Sequence, residues 1–297
     1  MSTAKLPVSH RLAVAIPLTW LVLCVAVPIA LVLGLAFAEV ADSVPPVQPL
    51  LRASGAGLNL SLRSFALVTS DSLYLVSFWN GLVNAFWTTA LCVLIGYPLA
   101  YGIARAPARR RRVYVLLAVL PFWTSFLMRA YAWMGLIRDS GPINELLRAL
   151  GLIRQPLLML YSPSAVLLVM VYSYLPFFIL PLYAVLERLP PDLLEAASDL
   201  GARPGHAFRT VTLPLSLTGL LAGAILVFVP AVGEYIIPDL VGNTDTVMIG
   251  GILWSEFFQN RDWPVAATVA ILTMAMLVAP FVVLRRLLPA TSAAQRR

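Results

Sequence analysis

Acids and aromatics alternate between residues 234 and 263, where Glu234, Asp239, Asp245, Glu256 and Asp262 are interleaved with Tyr235, Trp254 and Trp263. Carboxylates compensate the charges of a cation that sheds its water, and aromatic faces add cation–π contact of about 0.5–2 kcal/mol each. Such a set suits a flexible, multivalent cation. Trp123, Tyr131 and Trp133, followed by Tyr172 and Tyr174, extend the aromatic supply upstream. A plainer reading stands beside this one: aromatics gather at membrane interfaces, and the outer loops of any membrane protein are depleted of basic residues. Glu234 has two readings of its own. It falls near the outer end of an apolar run, where an ionisable group either serves function or reaches interfacial water.

Covalent chemistry finds no comparable set. His10 and His206 lie outside the apolar runs, and no nucleophile has a base nearby in the sequence. Cys24 and Cys92 lie inside apolar runs, with no spacing for a disulfide framework or a thiolate metal site, and read as packing residues. The single lysine, Lys5, excludes the glycine-rich loop with Lys and Ser/Thr that holds nucleotide phosphates. A net charge of +7 would suit nucleic acid, but the basic residues sit in short clusters between apolar runs, with no folded domain to present them.

What positions these residues is a membrane. The chain is 60% hydrophobic and 12% charged, against about 45–50% apolar and about 25% charged in soluble domains. A helix needs about 20 apolar residues to cross roughly 30 Å of hydrocarbon. Six segments qualify: 12–38, 81–104, 113–133, 163–186, 213–237 and 264–288. Basic residues flanking spans stay in the cytoplasm. With the N-terminus inside, the inner segments hold fourteen: Lys5, Arg11, Arg105, Arg109 to Arg112, Arg188, Arg203, Arg209, Arg285, Arg286, Arg296 and Arg297. The outer loops hold six, Arg52, Arg63, Arg138, Arg148, Arg154 and Arg261. Both termini are therefore expected in the cytoplasm. Arg129 falls in the third span near its outer end, where its stem can snorkel.

The first span also imitates a cleavable signal, with Lys5, Arg11 and Ala36-Phe37-Ala38, but it far exceeds the roughly 7–15 residues of a signal's apolar region. Prolines recur within the spans at positions 17, 28, 98, 121, 176, 181, 230 and 280. They are either tolerated kinks or points that let helices move. The outer loop 39–77 carries Pro45, Pro46, Pro49, Gly55 and Gly57 and reads as irregular. After the third span, Gly141-Pro142 should open a short amphipathic helix over 143–150, by default on the membrane surface. No block of 20–50 residues repeats.

Between the fourth and fifth spans, Pro190-Pro191-Asp192 and LLEAASDLGARPGHAFRTVTLPL read as helix, turn, helix. Pro191 suits the first helical position, Asp192 the positive end of the helix dipole, and Gly201 a left-handed cap. Pro204 permits a second start. Leu193, Ala197 and Leu200 line one face, and Asp192, Glu195 and Asp199 another. A helix lying on anionic lipid would carry Lys or Arg on its polar face. Acids there suit a protein groove better.

Glu195-Ala196-Ala197, three further residues, Gly201, nine more, then Val211-Thr212-Leu213-Pro214 resembles the EAA signature of ABC importer permeases. Only Val211 departs, where the family favours isoleucine. The resemblance implies that Glu195, Ala196, Ala197, Gly201, Leu213 and Pro214 belong to a coupling helix and its flank that dock in a cleft of a separate ATP-binding subunit. More narrowly, LPFWTSFLMRAYAW (120–133), SYLPFFILPLYAVLERL (173–189), GEYIIPDLVG (233–242) and RDWP (261–264) resemble the spermidine/putrescine branch, over about 80–286.

The expected fold is an all-α integral membrane protein with six transmembrane helices, of type I ABC importer permease (MetI-like) architecture. Expected divisions are 1–77, with the N-terminal tail, first span and long outer loop; a permease core over 78–288, with the EAA loop at 187–214; and a C-terminal tail, 289–297. The resemblance implies no cofactor in this chain, with ATP and Mg bound by the partner ATPase. It implies an ATPase pair, a second and different permease chain, and an extracytoplasmic binding protein, in a bacterial inner membrane. The expected path residues are Trp123, Tyr131, Tyr172, Tyr174, Glu234, Tyr235, Asp239, Trp254, Glu256 and Asp262. Alternatives are the same fold importing an opine, iron or sulfate, a secondary transporter needing ion ligands at mid-membrane, or an intramembrane enzyme.

Overall fold

The computed structural model describes residues 8–41, 43–49 and 59–287. The expected C-terminal tail, 289–297, with Arg296 and Arg297, lies outside the described residues, as do Lys5 and the loop residues Arg52, Gly55 and Gly57. In chain order the helices are α1 (Val8–Ala36), α2 (Arg63–Ser70), α3 (Ser72–Arg105), α4 (Ala108–Val119), α5 (Phe126–Ile137), α6 (Pro142–Ala149), α7 (Pro163–Leu186), α8 (Asp192–Asp199), α9 (Pro204–Ala207), α10 (Leu213–Val232), α11 (Ile236–Val241), α12 (Ile249–Trp254) and α13 (Trp263–Leu287). One isolated antiparallel bridge, Val40 to Val47, is the only β pairing among the described residues.

Four stretches, Val14–Ala36, Ser72–Arg105, Pro163–Leu186 and Pro204–Val232, are long and apolar enough to cross a bilayer as single helices. The third expected span is broken. Ala108–Trp123 and Phe126–Ala149 meet at 92°, and only taken together as one bent span are they long and apolar enough for a fifth crossing. Pro121 explains the break, because it brings no backbone donor to the turn and favours the short 3₁₀ segment Leu120–Trp123. Thr124, in an extended conformation, donates its hydroxyl to the Pro121 carbonyl at 2.9 Å, and Ser125 starts α5 afresh. The sixth expected span is α13, whose 25 residues rise about 37 Å at 1.5 Å each.

Two further boundaries differ from the sequence reading. Helix α3 begins at Ser72 rather than at residue 81, and α2 occupies part of the loop read as irregular. The Pro and Gly signals stop before residue 58, so nothing in 63–77 opposes a helix. The fifth span ends at Val232, short of residue 237, because Gly233, Glu234 and Tyr235 leave the helix before α11 begins.

The chain forms two compact units, residues 1–75 with 252–297 and residues 76–251. In the first, α1 docks on α13 by its C-terminal end: Ala36 and Ala38 are buried, and Thr268 donates to the Ala36 carbonyl at 3.3 Å. From Val14 to Leu31 every side chain of α1 is exposed, Trp20 and Ile16 included. Cys24 is among them, so it does not pack against the described residues, whereas Cys92 is buried as expected. Apolar exposure on this scale is stable in lipid and would drive association in water.

The core of the second unit is α7, which buries Val166, Val169, Met170, Phe178, Leu182 and Leu186. Helix α10 lies against it through Gly219 and Gly223, a small-xxx-small pair. A Cβ at Gly223 would stand 2.8 Å from the Phe178 carbonyl, and one at Gly219 2.9 Å from Val185. Only glycine lets the two backbones approach this closely. Helix α3 adds Tyr97, whose hydroxyl meets that of Ser216 on α10 at 2.7 Å. The predicted helix after Gly141 is α6, with Pro142 in its first turn. Rather than resting on a surface alone, it is tied to the chain by buried Asn144, which pairs with both backbone groups of Leu157 at 2.8 and 3.0 Å.

Candidate functional site

The segment 187–214 folds as the sequence predicts, with small shifts. Pro191 caps rather than opens α8, and its carbonyl accepts from Leu194 and Glu195. Asp192 and Glu195 occupy the first turn, where the helix dipole favours acids. At the other end Gly201 takes φ +82°. Its N–H reaches Ser198 O at 2.8 Å, and Ala202 N–H reaches Ala197 O at 3.0 Å. This pair of bonds is the Schellman motif, and it satisfies carbonyls that the helix end would strand.

Helix α8 turns Leu194 and Ala197 toward the rest of its unit and leaves its other residues exposed. The predicted apolar face of Leu193, Ala197 and Leu200 is thus split: Leu193 is 42% and Leu200 89% exposed. A helix so short has room for one inward contact line, and Leu194 takes it because the turn after Pro191 fixes the rotation. Glu195 is exposed and has no ion-pair or side-chain hydrogen-bond partner among the described residues. Beyond α9 the helix widens into a π turn, Phe208–Thr212, and continues as α10. The widening falls where a regular helix would press the Pro214 ring on the Thr210 carbonyl. Phe208 packs edge-on against Tyr97 at 5.5 Å and Tyr101 at 6.1 Å. Leu213 and Pro214 therefore mark the point where the loop enters the membrane helix.

Opposite in sequence, at the C-terminal end of α10, Glu234 is 8% exposed. Its Oε1 accepts from the backbone N–H groups of Tyr235 (3.1 Å), Ile236 (2.9 Å) and Ile237 (3.4 Å). Its Oε2 accepts from the Tyr174 hydroxyl at 2.5 Å. Both oxygens hold the bend between α10 and α11, three bonds on Oε1 and one, from Tyr174, on Oε2. Sequence reasoning saw an ionisable group near a span end. It had no means to see three N–H groups folding back onto it.

Tyr235 and Asp239 line a cavity of about 500 Å³ together with Tyr161, Pro238, Thr244 and Met248. Tyr161 was missed by the sequence reading. It stands at φ +58°, a left-handed conformation that costs a non-glycine residue of order 1–3 kcal/mol. The next residue compensates: Ser162 caps α7 by accepting from Ala165 N–H at 3.2 Å and donates to the Met159 carbonyl. The Ser-Pro pair before α7 was the available sequence signal. Tyr172 lines a separate apolar cavity of about 550 Å³ with Pro98, Leu99, Pro121 and Pro176, and its ring meets Trp133 edge-on at 5.3 Å. Trp123 and Tyr131 are 77% and 50% exposed.

Arg129 is buried in its unit: it is 9% exposed, lies over Phe122 and Phe126 at 5.5 and 5.6 Å, and its Nε and Nη1 have no hydrogen-bond partner among the described residues. The bend at Thr124 turns its stem into the unit. In the other unit, Glu256 accepts from Tyr74 at 2.9 Å and from Asn260 at 3.0 Å. Asp262 caps α13 through the Val265 N–H at 3.0 Å. Burial raises the Asp262 pKa above the usual carboxylate range, and nearby Glu256 adds to this, while the Val265 N–H and Arg63 oppose it. Trp254 contacts Phe258 at 4.1 Å, and Trp263 stacks on Phe257 at 5.2 Å.

A helical membrane chain with a broken third crossing, a bend stapled by a buried carboxylate and an exposed helical hairpin between its fourth and fifth crossings has the build of a transport permease. Residues 111–291 match the binding-protein-dependent transport system inner membrane components, and the chain belongs to that family, the permease subunits of ABC importers. It is 36% identical over 258 residues, 86% of each chain, to the spermidine/putrescine transport system permease protein PotB of Salmonella typhimurium (strain SL1344). To the PotB of Haemophilus influenzae it is 36% identical over 277 residues, 93% of each chain. Its fold is similar to a chain in the crystal structure of a bacterial ABC transporter involved in the import of the acidic polysaccharide alginate, with TM-score 0.65, 16% identity, and coverage of 97% of this chain and 100% of that one. The chain is thus a multi-pass inner-membrane transport component with the type I importer fold and without an ATPase site of its own. The secondary-transporter and intramembrane-enzyme alternatives fall with that assignment.

Proposed function

We propose that the importer carries a polyamine of the spermidine/putrescine class, and that this chain supplies half of its path beside a second, different permease chain. Both termini face the cytoplasm. Helix α8 docks in a cleft of a separate ATPase subunit, which binds ATP and Mg, and Glu195, Ala196, Ala197 and Gly201 form its contact. Leu213 and Pro214 pass the movement to α10. An extracytoplasmic binding protein delivers substrate to the opposite face.

The observation that carries the coupling role is α8 itself, an exposed acidic helix closed by a left-handed glycine, with Glu195 unpaired. A polar helix that leaves Leu200 uncovered has a surface without a lid among the described residues. The substrate reading is supported by the similarity to two polyamine permeases over most of the chain.

The test is the assembled importer in proteoliposomes, with its ATPase subunits and binding protein, assayed for labelled spermidine and putrescine. Glu195→Lys is expected to assemble and to hydrolyse ATP while uptake falls at least tenfold. Uptake at the wild-type rate would overturn the coupling role. If the wild-type importer takes up neither polyamine but moves an opine, iron or sulfate, the substrate reading fails and the coupling role stands.

A further inference from the structure

The cavity bounded by Tyr161, Tyr235 and Asp239 has a chemistry that narrows the polyamine reading, on which the following rests. We infer that it is a transit site for a single primary ammonium group, with Asp239 as its counter-charge and the Tyr161 and Tyr235 rings as its walls. Asp239 is the only carboxylate with a described side chain that lines the cavity. It is exposed and has no side-chain hydrogen-bond or ion-pair partner among the described residues. Glu234, a few residues earlier, is the contrasting case: it is buried and both its oxygens are engaged, by Tyr174 and three backbone N–H groups. Two carboxylates five positions apart therefore do different work. One holds the bend, and the other is left to meet a ligand.

The volume of about 500 Å³ falls in the roughly 300–1,000 Å³ range of small-molecule sites. An ammonium brings three donors and no acceptor. Asp239 supplies the charge-assisted acceptor, and the two phenol rings supply π faces that a cation prefers to water once partly desolvated. Tyr161 is 60% exposed and held in a left-handed conformation by the capping of α7, so its ring is presented by a fixed backbone. One carboxylate balances one charge. The site holds one end of a diamine or triamine at a time, and the molecule must enter end-first.

The assay is uptake of labelled putrescine by the assembled importer in proteoliposomes, normalised to the amount of assembled complex. Asp239→Asn is expected to lower uptake about tenfold, the equivalent of 1.4 kcal/mol, and Asp239→Glu to restore at least half of it. Tyr161→Leu is expected to lower uptake severalfold, and it carries the test if Asp239→Asn does not assemble. Asp239→Asn uptake within twofold of wild type overturns the site. Equal losses in Asp239→Asn and Asp239→Glu also overturn it, since they mark a structural role. Failure of the wild type to take up putrescine or spermidine is a different result, which removes the substrate reading and this site with it.

Discussion

Replacing Gly201 in series separates backbone strain from steric bulk at the end of α8. A Cβ added there meets no atom within 4 Å, so substitution does not clash with the chain itself. The whole penalty comes from φ +82°, which for an L-residue is about 1–2 kcal/mol. That is a factor of about 5–30 in the ratio of capped to frayed hairpin. Asn tolerates the left-handed region best, Ala less, and a β-branched Val least. Uptake per assembled importer is therefore expected in the order Gly, Asn, Ala, Val. Alanine should lose severalfold and valine at least tenfold. ATP hydrolysis measured on the same vesicles should fall less than uptake, because a frayed hairpin loses the transmission and leaves the ATPase intact. If the losses instead follow side-chain volume, with Asn worse than Ala, the backbone argument is refuted and crowding in a partner's cleft takes its place.

Three further outcomes follow from the packing and the charges. Gly223→Val places carbon where Phe178 O stands 2.8 Å from the ideal Cβ; it should cost at least the roughly 1–3 kcal/mol of ordinary overpacking, seen as a lower thermal midpoint in detergent. Glu234→Ala strips the bend of its acceptor and leaves the Tyr174 hydroxyl unpaired, a loss of about 1–3 kcal/mol; unchanged thermal stability would remove its stapling role. Asp262 has a raised folded pKa with burial as the largest cause, so its ionised form is disfavoured by folding at neutral pH. Its contribution improves as pH falls through that raised value toward the unfolded value of about 3.9. Asp262→Asn, which still caps α13, should match or exceed wild type in thermal midpoint at pH 7, with the advantage shrinking as the solution is acidified; an advantage that grows on acidification would contradict the assignment.

Much of this was legible in the sequence because lipid imposes a simple rule. About 20 apolar residues must be helical to cross it, and α1, α7 and α10 follow from that alone. The turn at Gly201 was readable for a similar reason, since few residues accept its backbone angles. The break at Thr124 was readable only as one of eight proline kinks, at Pro121; that this one turns the chain through 92° was not, because apolar content continues through Leu120–Ile137 and hydropathy is blind to direction. Gly219 and Gly223 carried a signal in their spacing that went unused. Glu234 and Arg129 were out of reach. One is defined by backbone donors that curl back on it, the other by a bend that turns a stem inward, and neither event is local in sequence.

The unbroken run from Pro204 to Val232, 29 residues through the π turn, has a mechanical meaning. At about 1.5 Å per residue it is a rod of about 40 Å, with the hairpin at one end and the Gly233 bend at the other. A tilt of about 10° pivoting at the hairpin end sweeps the far end through about 7 Å. A shift of that size is more than the width of a methylene chain, so a modest rocking at the hairpin end can open or shut a passage at the bend end without any helix unwinding.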